Sequence, residues 1–161
     1  MTANFYAAVA GAIDSGHEQI VLEADEGLTY TRADLARESA RFAGVLIGAG
    51  AMRGDRIAVQ VDKSPAALFL YLGCLRAGLV YLPLNTAYQR GEIAYFLNDA
   101  QPKVVVCRPQ SLELLCEISA GGARVFTLDE HGHGSLTDAA AAFSVEFATV
   151  DCEPDDLAVI I

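Results

Sequence analysis

The run His131-Gly132-His133-Gly134 sets two imidazoles two positions apart, beside Asp129 and Glu130, and these are side-chain types that ligate metal ions. A structural or catalytic metal centre needs further ligands held in a fixed geometry. No such residue stands nearby at matching spacing, so the run reads as a solvated loop. His17, beyond the first helical stretch, reads as exposed. Ser64, Ser135 and Thr29 are the hydroxyls with a claim to nucleophilic chemistry, but none sits in a Gly-x-Ser-x-Gly elbow, and Ser64 and Ser135 read as helix caps.

Gly48-Ala49-Gly50-Ala51-Met52-Arg53-Gly54 has the glycine content of a dinucleotide loop. It lies between a helix and the next strand, the reverse of the strand-to-helix order that phosphate binding uses, and so reads as a glycine C-cap and turn. No Gly-x-x-x-x-Gly-Lys-Ser cradle occurs. Cys74, Cys107, Cys116 and Cys152 form no Cys-x-x-Cys pair and are expected to be reduced thiols in or near the core. No residue is assigned a catalytic, cofactor-binding or metal-ligating role.

Of the 161 residues, 53% are hydrophobic and 20% charged, which excludes a disordered chain and is enough apolar content for a sizeable core. The net charge of −10 is spread along the chain and no basic stripe offsets it, so nucleic acid is not expected as a partner. The longest apolar stretch, Ala66 to Leu84, is interrupted by Arg76 and carries Pro83, which makes it a poor membrane span. The first residues lack the positive n-region and apolar run of a secretory signal, so a cytoplasmic protein is expected.

The elements that must position these residues alternate. Asn4 to Ser15 reads as a helix ended by Gly16. Ile20 to Glu23 and Gly27 to Tyr30 read as a hairpin turned by Asp25-Glu26-Gly27, expected at a sheet edge. Thr31, with Asp34 three residues on, opens a helix whose buried face carries Leu35, Phe42, Leu46 and Ala49. Asp55 to Val61 alternates as a strand. Ser64-Pro65 is a cap followed by proline at the first helical position, and the apolar helix it starts ends near Arg76 and Gly78.

Strands are then expected at Val80 to Leu84, Lys103 to Cys107 and Arg124 to Leu128. Helices are expected around Ile93 to Ala100, Gln110 to Ser119 and Ser135 to Phe143, the last begun by Ser135 with Asp138 in the capping position. Residues 129–134 read as loop, and no long linker is visible. The pattern predicts an α/β fold, a layered, mostly parallel sheet flanked by helices, with an N-terminal β-hairpin. Asp155-Asp156-Leu157-Ala158-Val159-Ile160-Ile161 reads as the opening of an interior strand, and the expectation is that residues 1–161 are a fragment of a larger protein.

Three segments together resemble the N-terminal region of the adenylate-forming acyl-CoA synthetases: Leu28-Thr29-Tyr30-Thr31-Arg32-Ala33-Asp34-Leu35, Arg53-Gly54-Asp55-Arg56-Ile57-Ala58-Val59, and Leu75 to Asn85 with its Arg76-Ala77-Gly78 and Tyr81-Leu82-Pro83-Leu84-Asn85 runs. Within that superfamily the chain is most similar to the malonyl-CoA synthetases. The likeness is carried by Tyr81-Leu82-Pro83-Leu84-Asn85-Thr86-Ala87-Tyr88 and Gly134-Ser135-Leu136-Thr137-Asp138-Ala139-Ala140-Ala141, and continues through Phe147 to Asp151 and Asp155 to Ala158. Asn85 stands where many relatives carry aspartate, a departure that favours the malonyl branch.

The resemblance implies that residues 1–161 are the N-terminal part of the large domain, ending before the ATP phosphate-binding loop that follows the strand begun at Asp156. It implies a ligase that uses ATP, Mg2+ and CoA, with malonate as substrate and the remainder of the same enzyme as partner. The 161 residues alone are expected to be inactive and to bind none of these fully. Methylmalonate or another small or aromatic carboxylate is the alternative substrate, and a non-catalytic module that pairs with a complementary fragment the alternative role. Tyr81, Tyr88 and Arg90 could border a substrate or CoA path, although packing and turn roles explain them equally well.

Overall fold

A computed structural model describes residues 2–14, 18–119 and 122–161. Among the described residues six helices and six strands follow one another in the predicted order, alternating after an initial hairpin. Helix α1 spans Phe5–Asp14, and the hairpin strands β1 (Ile20–Glu23) and β2 (Thr29–Thr31) pair antiparallel around a 3₁₀ turn at Asp25–Gly27. The expected helix end at Gly16, and His17, lie outside the described residues. The hairpin is a two-stranded sheet of its own and not an edge of the larger one.

Helix α2 (Arg32–Gly48) starts at the predicted capping box. Thr31 Oγ1 accepts from Asp34 N–H at 3.2 Å, and Asp34 Oδ2 accepts from Thr31 N–H at 2.8 Å. The chain continues through β3 (Arg56–Gln60), α3 (Pro65–Arg76), β4 (Val80–Pro83), α4 (Arg90–Ala100), β5 (Val104–Cys107), α5 (Leu112–Ile118), β6 (Arg124–Thr127) and α6 (Ser135–Ala140). Helix α5 is preceded by a 3₁₀ turn at Pro109–Ser111, with Pro109 in its first position, where a missing N–H costs nothing.

Strands β3 to β6 form a parallel sheet in the order β4-β3-β5-β6. Successive side chains face opposite sides, and the core divides accordingly. Ile57, Val59, Val104, Val106 and Phe126 pack with Phe42 and Leu46 of α2, Phe69 and Leu70 of α3, and Leu136 of α6. Ala58, Leu82, Val105 and Cys107 pack with Ile93 and Leu97 of α4 and Leu115 of α5. Helices cover both faces, which explains strands as uniformly apolar as Val104-Val105-Val106-Cys107.

Two expectations change. After α6, residues 141–158 carry no regular element, so a long irregular strap follows where no long linker was visible. The segment expected as an interior strand is instead a single parallel bridge at the outer edge of β4: Tyr81 N–H donates to Ala158 O at 2.9 Å, and Ile160 N–H donates to Tyr81 O at 3.0 Å. On that edge Pro83 has no N–H to give Ile160 O, so β4 can meet the run there only as an acceptor. Leu157 and Ile161 are exposed, and Val159 is half-buried.

Candidate functional site

The chain leaves β3 towards β4 on one face and leaves β5 towards β6 on the other, so the strand order reverses between β3 and β5. Ligands of open α/β sheets bind outside the carboxyl ends of the strands at such a reversal. Here that place is a crevice of about 160 Å³ lined by Asp62, Arg108, Pro109, Gln110, Asp129 and His131, among others.

Two long side chains organise its rim. Gln60, the last residue of β3, is 1% exposed, and its Nε2 donates to Asn85 O at 2.9 Å. Arg108, just past β5, donates from Nη2 to Thr86 O at 2.9 Å while its Nη1 lies 3.9 Å from Asp62 Oδ1. Asn85 Oδ1 accepts from Ala87 N–H at 2.9 Å, and Asn85 O accepts from Tyr88 N–H at 3.1 Å. The turn after β4 is therefore held across the ends of β3 and β5, its carbonyls turned inward and Asn85 exposed. Sequence reasoning missed Gln60 and Arg108; the signal for Gln60 was a lone amide in the apolar run Ile57-Ala58-Val59-Gln60-Val61.

The histidine run borders this crevice but is built as a turn. Asp129 Oδ1 accepts from the backbone N–H of His131 at 2.9 Å and of His133 at 2.7 Å, and these bonds hold the Asp129 carboxyl below the usual carboxylate range. Both imidazoles are exposed, with ring centres 6.5 Å apart. Among the described residues no group of three or more His, Cys, Asp or Glu could hold a metal ion.

The hydroxyls do not converge. Ser64 Oγ accepts from Ala67 N–H at 3.2 Å, as the predicted cap of α3. Thr29 stands in the hairpin opposite Glu23. Ser135 is not a cap: Gly134 occupies that position, and Ser135 Oγ instead accepts from Thr127 N–H at 2.9 Å. Gly134 has φ of 146°, and a Cβ there would lie 2.3 Å from Thr127 O, so the backbone passes too close to β6 for any other residue.

Tyr81, Tyr88 and Arg90 are likewise kept apart. Tyr81 packs edge-on to Tyr71 at 5.1 Å on the α2–α3 side of the sheet, where burial pushes its phenol pKa up. Tyr88 stacks on Phe96 at 5.2 Å on the opposite side. Arg90 forms a two-pronged pair with Glu117 of α5, at 2.8 and 2.5 Å. Two of the thiols are shielded: Cys74 and Cys107 are buried, and burial pushes the Cys107 thiol up to about 12, whereas Cys116, expected in or near the core, is exposed.

Three of the stretches that carried the sequence resemblance, at Arg53-Gly54, Gly78 and Asp156, meet at the other end of the sheet. Gly54 N–H donates to Gly78 O at 2.8 Å, and Arg53 reaches Asp156 from Nη2 at 2.7 Å and from Nε at 2.9 Å. Gly78 takes φ of 66°, the left-handed turn that lets α3 end and β4 begin within three residues.

Comparison with known proteins agrees with this architecture. The family model described as AMP-binding enzyme matches residues 10–161. The structure of ATP-bound MatB from Rhodopseudomonas palustris superposes with a TM-score of 0.96 and 46% identity, over 100% of this chain and 32% of that one. A feruloyl-CoA synthase from Amycolatopsis is 35% identical over 66% of the chain and 21% of its own length. The long-chain-fatty-acid–CoA ligase FadD13 of Mycobacterium tuberculosis is 28% identical over 86% of the chain and 28% of its own. The chain thus spans about a third or less of each of these relatives.

Proposed function

The chain belongs to the AMP-binding enzyme family, and from that premise we propose that it is the N-terminal part of the large domain of an ATP-dependent malonyl-CoA synthetase. The observation that carries the malonyl assignment is the 46% identity to MatB across the full 161 residues, together with Asn85 in the turn after β4. In the proposed reaction a malonate carboxylate oxygen attacks the α-phosphorus of ATP, and the bond to pyrophosphate breaks. The CoA sulfur, having lost its proton, then attacks the acyl carbon of malonyl-AMP, and the carbon–oxygen bond to AMP breaks.

Mg2+ would neutralise phosphoryl charge in the first step. No residue of this chain is assigned to it. The role we assign to these 161 residues is scaffold: a rigid sheet whose carboxyl-end turn and β4-edge strap present the neighbouring parts of the enzyme. The remainder of the same polypeptide is the proposed partner, and malonate the proposed substrate. Nucleic acid is excluded from the reading, as is a membrane; no helix among the described residues is long and apolar enough to cross one. A cytoplasmic location follows from the same reading.

The test is malonyl-CoA and AMP formation by the full-length protein, with acetate, methylmalonate and benzoate as competitors. Efficient turnover of malonate supports the assignment. Turnover of acetate or benzoate with malonate ignored overturns the substrate, and no AMP release with any carboxylate overturns the ligase. The 161-residue stretch assayed alone is expected to give no turnover.

A further inference from the structure

Three polar side chains are fully buried among the described residues: Asn4, Ser39 and Gln60. Two of them belong to one cluster, remote from the crevice at the strand ends, that joins α1, α2, the end of α3 and the strap. Asn4 is 3% exposed. Its Oδ1 accepts from Tyr6 N–H at 2.8 Å, capping α1, while its Nδ2 donates to Leu75 O at 2.9 Å and to Val150 O at 2.8 Å.

Arg76, the last residue of α3, donates from Nη2 to Phe147 O at 2.6 Å and from Nη1 to Ala36 O at 2.8 Å. Its guanidinium lies 5.0 Å from the Tyr6 ring centre. Arg76 O accepts from Val150 N–H at 2.9 Å, and Cys152 O accepts from Ala3 N–H at 3.1 Å. Arg76 makes no salt bridge among the described residues; carbonyls, hydroxyls and a ring surround it.

A strap without its own ladder has to be held by whatever its backbone can reach. Here its carbonyls at Phe147 and Val150 are taken by Arg76 and Asn4, and at Val159 the same run makes its bridge to β4. That bridge is made through two hydrogen bonds, at Ala158 O and Ile160 N–H, so its alignment depends on how the strap arrives.

We propose that Asn4 and Arg76 are positioning residues that set the 147–160 run in place on the edge of β4, and through it the segment that continues into the nucleotide site. The second half rests on the functional reading above, in which the phosphate-binding loop follows this run. The consequence is selective: adenylation depends on the clamp, and transfer of a preformed acyl group to CoA does not.

The experiment uses the full-length protein and the variants Asn4→Asp, Arg76→Met and Arg76→Lys. Asn4→Asp keeps the cap acceptor but removes both donors. Arg76→Lys keeps the charge but loses the fork that reaches Phe147 and Ala36 together. Readouts are malonate-dependent ATP–pyrophosphate exchange, KM for ATP, thioester formation from supplied malonyl-AMP, thermal midpoint, and amide exchange of residues 147–160.

The expected result is exchange lowered on the order of 10- to 100-fold in Asn4→Asp and Arg76→Met, less in Arg76→Lys, with faster amide exchange in the strap and thioester formation unchanged. A fall in thermal midpoint with normal pyrophosphate exchange and normal KM for ATP overturns the inference while leaving the functional reading intact. Equal loss of both half-reactions also overturns it. A wild-type protein with no carboxylate-dependent exchange overturns the functional reading and this inference together.

Discussion

Replacing Gly73 by alanine tests how closely α2 and α3 approach. A Cβ at Gly73 would lie 2.8 Å from Phe42 Cβ and 3.0 Å from the backbone nitrogen of Ala43. Neither is the free end of a side chain, so the helices themselves must separate. Overpacking of this kind costs about 1–3 kcal/mol, partly offset by the roughly 0.5–1 kcal/mol that alanine gains over glycine inside a helix. Gly11→Ala in α1 is the matched control, because Gly11 is exposed and a Cβ there meets nothing within 4 Å. Gly11→Ala should stabilise by about 0.5–1 kcal/mol and Gly73→Ala should lie about 1–3 kcal/mol below it. Urea midpoints of the two variants and the parent, measured at one protein concentration, give the comparison. A Gly73→Ala protein as stable as Gly11→Ala would refute the close-approach argument, and with it the picture of α3 as a fixed strut between Ser64 and Arg76.

Ser64→Ala should cost about 1 kcal/mol by removing the acceptor for Ala67 N–H, and Ser64→Asp should restore most of it; denaturant titration of the pair separates loss of the cap from loss of a nucleophile. Asp34 is held below its ordinary pKa, first by the Thr31 backbone N–H and then by the Thr31 hydroxyl and Arg37. A depressed folded-state pKa gives stability that is fully present above the unfolded value near 3.9 and is lost as pH falls through the folded value. The stability gap between parent and Asp34→Asn should therefore be full at neutral pH and close below about pH 4; a gap that widens on acidification would contradict the capping-box assignment. Under native conditions a maleimide should label Cys116 first, while Cys74 and Cys107 react only on unfolding, as mass spectrometry of timed samples would show.

Local signals carried most of the fold. The Thr31–Asp34 box, the Ser64-Pro65 start and the apolar strands with helices between them are written in residues a few positions apart, and the structure has each where the sequence put it. Long-range contacts are what the sequence concealed. Ser135 looks like a cap, but whether its hydroxyl turns to its own helix or to Thr127 is decided by the passage of Gly134 against β6. Pro83 was visible in the sequence, yet its effect on the 158–160 bridge appears only when the partner edge is known. Gln60 and Arg108 act on a turn more than twenty positions away, and no periodicity announces such a bond.

The placement of polar groups separates holding from reacting in this part of the molecule. A buried amide or hydroxyl adds little net stability beyond an apolar side chain of the same shape, because its hydrogen bonds replace ones made to water. What such groups add is direction: Asn4 fixes the strap at one end of the sheet and Gln60 the post-β4 turn at the other, two backbone segments with no ladder of their own, while Ser39 accepts from Arg76. Between them the central strands of the sheet are apolar except at the two ends of β3, Arg56 and Gln60. On the proposed reading, a scaffold that aligns two irregular segments over a rigid sheet suits a ligase whose substrates are gripped by several regions at once.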